Sequence, residues 1–107
     1  MKFVVGLTTL ESKHEAISMS RDLVEQGLVA CAQVSGPIVS VYHWNDSLSE
    51  SEEWQVQFKT VSRHVLRVKQ WIQVNHPYDE PELIFMNVCE GSASYLNWVA
   101  QQCGDLC

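Results

Sequence analysis

VACAQVSGPIVSVYHW (Val29–Trp44), NDS (Asn45–Ser47) and EWQVQFK (Glu53–Lys59) are the segments on which the fold turns. The first is apolar and rich in β-branched and aromatic residues, a composition that favours extended backbone. It is interrupted only at Ser35-Gly36-Pro37, and because proline has no ladder donor, that break predicts a bulge or an edge position. A long edge strand is therefore expected from Val29 to Trp44. Asn45-Asp46-Ser47 supplies turn chemistry. Beyond it Trp54, Val56 and Phe58 alternate with Glu53, Gln55, Gln57 and Lys59, the period of a half-buried strand, so a hairpin follows.

Upstream, Lys2 to Thr8 is a compact β-branched and aromatic run, and Ser12-Lys13-His14-Glu15 has the S-x-x-E form of a capping box. A strand thus feeds a helix from about Ser12 to Gln26. Ala16, Ser20, Leu23 and Gly27, flanked by Ile17 and Val24, form its buried stripe, and Gly27 suits a left-handed cap. Downstream, Val61, Val65, Val68 and Ile72 step along a second helix with Ser62 as its cap, and Asn75-His76-Pro77 ends it. Leu83 to Cys89 reads as a fourth strand, and Ser92 onwards, with Leu96, Val99 and Cys103 on one side, as a last short helix. The order is β-α-β-β-α-β plus a C-terminal helix. Two such helices cover one face of a four-stranded antiparallel sheet, the α+β ferredoxin-like plan. The other face and the edge, with Tyr42 and Trp44 or their neighbours laid bare, predict self-association.

The 107 residues fit one domain spanning 1–107. At 46% apolar and 19% charged the chain is too apolar to be disordered. Thirteen acidic against seven basic residues give a formal charge of -6, which repels nucleic acid and anionic lipid and argues against both as partners. Phe3–Leu7 is too short an apolar run for a signal core or a membrane span. The four cysteines form no C-x-x-C pair, and Cys31 and Cys89 lie in apolar segments as buried thiols do. A reducing, cytoplasmic setting is expected. Cys103 and Cys107 make a weak C-x-x-x-C, most simply two untied terminal thiols.

Several strings coincide in order and spacing: Thr8-Thr9, Ala30-Cys31, Tyr42 and Trp44 before the turn, Lys59-Thr60, His76-Pro77-Tyr78, Pro81-Glu82, and Gly91 with Tyr95, Leu96 and Trp98. Together they resemble the CutA divalent-cation tolerance proteins over nearly the whole chain. The resemblance implies ferredoxin-like subunits in a tight homotrimer, a role in tolerance to divalent metals, copper binding as in some members, and signalling by analogy with trimeric nitrogen-regulatory proteins. The proposed copper ligands of relatives correspond to Thr8, Asn75 and His76. Thr8 and Asn75 stand in place of a thiol and an imidazole, and they are poor donors for a soft ion. Glu11 stands where many relatives have proline, and Asn45-Asp46-Ser47 where a Gly-Lys turn is usual.

His76 is the metal candidate, with Asp79, Glu80 and Glu82 nearby to complete a mixed shell. Its structural alternative is to cap the preceding helix. His14, His43 and His64 read as surface histidines, and Arg63 with Arg67 as a solvated helix side. Tyr42, Trp44, Lys59, Tyr78 and Glu82 form the ligand-binding set. Lys59 points to the uncovered face, either toward an anionic ligand in an intersubunit cleft or toward a glutamate across a subunit contact. The three aromatics suit a ligand pocket or interface anchors equally. No G-x-S-x-G, H-E-x-x-H or Walker loop occurs, so a binding protein rather than an enzyme is expected. The expected partners are further copies of the chain and either a divalent metal such as copper, not needed for folding, or a small anionic metabolite in a signalling or scaffold trimer.

Overall fold

The computed structural model describes residues 2–104. The elements are β1 (Phe3–Leu10), α1 (Lys13–Glu25), β2 (Cys31–Trp44), β3 (Ser47–Val61), a 3-10 turn (Ser62–His64), α2 (Val65–Asn75), β4 (Ile84–Asn87) and α3 (Ala93–Gln102). The sheet is antiparallel throughout, with strand order β2-β3-β1-β4. This is the expected α+β ferredoxin-like layout with an added C-terminal helix. No helix among the described residues is long and apolar enough to cross a membrane.

Local chemistry sets the boundaries. Ser12 caps α1, its hydroxyl accepting from the Glu15 backbone N–H at 3.1 Å and donating to the Glu15 carboxylate at 3.1 Å. Gly27, at φ 71°, closes the helix in the left-handed region. Asn45 and Asp46, at φ 51° and 63°, make the β2–β3 turn, and two successive positive φ values match the right-handed twist of a tight hairpin. Ser62 does not act as a helix cap: the chain leaves β3 through a 3-10 turn with no side-chain cap bond.

The helix-covered face carries Leu10, Val56 and Phe58 against Ala16, Met19 and Leu23 of α1 and Val68 and Ile72 of α2. Met19 replaces Val24 in the expected stripe, since Val24 is 41% exposed. Gly6 lies beside Phe58 in the register, and a Cβ there would sit 2.2 Å from the Phe58 ring. Glycine is what admits the ring. α3 closes the end of the sheet with Val99 and Cys103 against Ala30 and Val61.

At the β2 bulge, Ser35 pairs with Gln55 and Ile38 with Glu53, so Gly36 and Pro37 together oppose Trp54 alone. Upstream, Ala32 and Val34 pair with Phe58 and Val56 on the core side. Downstream, Ile38, Tyr42 and Trp44 pair with Glu53, Ser49 and Ser47 on the opposite side. The extra residue thus exchanges which parity of β2 faces the helices. A Cβ on Gly36 would lie 2.6 Å from Trp54 Cδ1, so the bulge needs glycine where the indole approaches.

β1 pairs with β3 only from Trp54 to Val61, which leaves Ile38–Trp44 and Ser47–Glu53 as a two-stranded ribbon. Its flanks expose Val39 (71%), Leu48 (68%) and Trp44 (56%). The longest dimension of the molecule is accordingly 49 Å, against 25 and 22 Å for the others.

Two further expectations are corrected. β4 ends at Asn87, so Cys89 is exposed rather than buried in a strand. His64 is buried, its ring Nδ1 3.1 Å from the Leu28 carbonyl. Cys107 of the C-x-x-x-C pair lies outside the described residues; Cys103 is buried 3.5 Å from Thr60 Oγ1.

Candidate functional site, an acidic aromatic cleft

The base of the ribbon, the end of β1 and the segment after α2 enclose a cleft of about 800 Å³. Tyr42 and Trp44 reach it from β2 because the bulge has turned that parity toward Glu53. Tyr78, Asp79, Glu80 and Glu82 form the opposite wall, and Thr9 and Glu11 the β1 end. Glu52 and Glu53 bring the lining carboxylates to six, with no Lys, Arg or His among the lining residues.

His76 holds the wall in place. Its backbone N–H donates to Ile72 O at 2.8 Å and ends α2. The Tyr78 N–H donates to its Nδ1 at 3.1 Å, so the ring's proton sits on Nε2, which donates to the Thr9 carbonyl at 2.8 Å. Burial, opposed by the Thr9 bond and by Glu15 and Glu53, holds its pKa below the ordinary histidine value. The ring is neutral, with both nitrogens engaged. It also packs against Tyr78 at a centroid distance of 4.7 Å.

Tyr78 carries the arrangement across to the sheet, donating its hydroxyl to Glu53 Oε2 at 2.9 Å. Burial first, then this bond and the Glu53 charge, push the phenol well above the usual tyrosine range. On the ribbon side the Tyr42 hydroxyl donates to Ser51 Oγ at 3.2 Å.

Four of the expected ligand-binding residues, Tyr42, Trp44, Tyr78 and Glu82, line this one cleft. Lys59 does not. It stands six positions along β3 from Glu53, on the order of 20 Å at strand rise, and its ammonium donates to Gln33 Oε1. His76 lies directly behind the wall. Of the other positions matched to copper ligands, Thr8 turns its hydroxyl into the protein interior, where it has no partner among the described residues. The Asn75 amide donates to Trp71 O at 2.8 Å. No group of three or more His, Cys, Asp or Glu converges to hold an ion among the described residues. A preformed single-chain copper cage is therefore not what these side chains build. Glu53 escaped the sequence reading as a site residue because strand alternation assigned it only to a polar face. Its signal was its place opposite Ile38, just past the Gly-Pro interruption.

The chain matches the family model described as CutA1 divalent ion tolerance protein over residues 4–102. It belongs to the CutA1 family. Among curated CutA1 relatives, the divalent-cation tolerance protein CutA of Thermus thermophilus is 30% identical over 100 residues, covering 94% of this chain and 97% of that protein. The Ehrlichia chaffeensis CutA1 crystal structure is similar at 31% identity and a TM-score of 0.91, covering 96% of this chain and 97% of that one. CutA from Synechococcus elongatus, solved in complex with a Bis-Tris molecule, is similar at 32% identity and a TM-score of 0.87, covering 94% and 93%. The CutA1 family is named for tolerance of divalent ions, not for a catalysed reaction.

Proposed function

We propose that this CutA1 member serves divalent-cation tolerance as a non-enzymatic, cytoplasmic homotrimer that gathers divalent ions in the cleft. The observation that carries this reading is the sign of the cleft: six carboxylates line it and no basic side chain does, so cations are concentrated and anions repelled. Without a converged donor set, binding is weak and the ions keep much of their water. Copper, which favours imidazole, enters by taking His76 Nδ1 from the Tyr78 amide, whose 3.1 Å bond is the longer of the ring's two.

Trimerisation is supported by the uncovered ribbon and by Ile84 (47% exposed) and Met86 (46%) on the sheet face opposite the helices. A cytoplasmic setting is supported by the free thiols of Cys31, Cys89 and Cys103. An anionic metabolite held by Lys59 draws no support from an acidic cleft that Lys59 does not line.

The test is calorimetric titration of metal-free, thiol-blocked protein with copper and zinc. Both ions should give weak, salt-sensitive heats that fall in Glu53→Gln with Glu82→Gln, and His76→Gln should weaken copper more than zinc. Heats indifferent to all three substitutions would remove metal from the cleft.

A further inference from the structure

The sheet face away from the helices carries two charged strand residues among those described, Lys59 and Glu53. They are opposite in sign and stand far apart along β3. Between them on that face lie Gln55 and Gln57, and beside them the uncharged Leu7, Ile84 and Met86 of β1 and β4. Neither charge is answered within the subunit. The Lys59 ammonium donates to Gln33 Oε1, Glu53 accepts from the Tyr78 hydroxyl, and neither has an ion-pair partner among the described residues. Six residues of strand, on the order of 20 Å, put the two beyond each other's reach.

This is the face proposed above to be covered by neighbouring subunits, and covering it takes the Lys59 ammonium out of water. One amide acceptor does not compensate an ammonium for that loss, whereas a carboxylate does. The contact must bring a carboxylate to Lys59, and the one this face of the strands offers is Glu53. A threefold ring closes through head-to-tail contacts, in which one patch of a subunit meets a different patch of the next. A cation at one place on a face and a carboxylate at another suit such a ring. Each subunit gives its Lys59 in one direction and receives its neighbour's in the other. Tyr78 occupies one oxygen of Glu53, and an ionised carboxylate has acceptor capacity for a second donor.

We propose that Lys59 of one subunit pairs with Glu53 of the next, so that a cation from the neighbour completes each cleft. The proposal rests on the homotrimer and names the charges that close it. Lys59, which lies outside the cleft of its own subunit, then belongs to the cleft of another.

The experiment is sedimentation of the full chain through a dilution series at low and high salt. It compares the parent with Lys59→Met, Glu53→Gln and the double variant, each checked for folding by circular dichroism. The parent trimer should dissociate more readily at high salt. Lys59→Met gives up one described hydrogen bond in its own subunit, to Gln33, and should fold. It should raise the concentration at which the trimer dissociates by on the order of a hundredfold. The double variant should lose less than the sum of the single changes. If Glu53→Gln disturbs folding, Lys59→Met and Lys59→Glu carry the test, the reversed charge weakening assembly further than methionine does. Assembly unchanged or tightened in Lys59→Met is the behaviour of an ammonium without a partner and overturns the pair. Full additivity in the double variant does the same. A parent that sediments as a single subunit removes the trimer and the proposal together, whereas a parent trimer that tolerates Lys59→Met removes the pair alone.

Discussion

Tyr78 and Glu53, 25 residues apart in sequence, meet through a 2.9 Å hydrogen bond that fastens the segment after α2 to the base of the ribbon. The bond gives a buried carboxylate its one donor among the described residues, and a hydrogen bond to a charged group is worth more than a neutral one. Tyr78→Phe should therefore destabilise the protein by about 1–3 kcal/mol, measured by urea unfolding, and the accompanying Glu53→Gln, Tyr78→Phe pair should lose less than the sum of the single changes. Full additivity would mean the two residues do not act together.

The same bond predicts a response to base. Because the Tyr78 pKa is raised in the folded protein, the native state holds its proton more tightly than the unfolded chain does. The resulting stability is complete below the unfolded tyrosine value near 10 and is lost as pH climbs above it. Tyr95, raised to about 12 by its contact with Cys31 and then by burial, acts in the same direction. Ultraviolet titration should show Tyr78 and Tyr95 ionising above the ordinary tyrosine value, and Tyr78→Phe should lessen the alkaline loss of stability.

Acid acts through two histidines. His64 is held below the ordinary histidine value by burial, then by Arg63 and Arg67, against the raising effect of its Leu28 bond. His76 is lowered by burial against its Thr9 bond, Glu15 and Glu53. A lowered folded pKa means that the unfolded chain takes up protons first. Stability is full above about pH 6.5 and falls as pH drops below it. His64→Gln should flatten that fall without abolishing it, leaving the His76 share. An unchanged acid limb in this variant would show that His64 does not titrate as argued.

Gly6→Ala tests the core. The added Cβ, 2.2 Å from the Phe58 ring, forces that fully buried side chain to move. Overpacking of this kind destabilises by about 1–3 kcal/mol, and Phe58→Leu in the same background should recover part of it. Denaturation midpoints that do not differ from the parent would contradict the contact.

The ribbon tests assembly. Val39 and Leu48, 71% and 68% exposed, are proposed to be covered by neighbouring subunits. Val39→Asp with Leu48→Asp should shift sedimentation from about three times the 12.2 kDa subunit mass toward one, with the metal heats remeasured on the product. A parent protein that sediments as a single subunit would remove the trimer.

The architecture was legible because its signals are local. Ser12 with Glu15 marked a helix start, Gly27 its end, and the Trp54, Val56, Phe58 alternation a strand with one face inward. Where the reading missed, tertiary packing decided. Met19 displaced Val24 from the stripe, His64 was drawn inward by the Leu28 carbonyl, and Cys89 fell outside a strand one turn of pattern too long. The aromatics Tyr42, Trp44 and Tyr78 could be named from sequence, but not their common cleft, which depends on the segment after α2 folding back over β1. Lys59 and Glu53 share a face of β3, as alternation requires. Their separation along the strand, rather than their facing, kept Lys59 out of the cleft.

The bulge at Gly36 and Pro37 also acts as the elbow of the arm. Ala32 is oriented by Phe58 and Tyr42 by Ser49, each through its own neighbour on β3, so pairing with β3 fixes the side each side chain takes, while the bulge sets the angle at which the outer half leaves the sheet. A change at Gly36 would therefore keep the aromatics on their side of the ribbon and swing them relative to Tyr78 and Glu82 across the cleft.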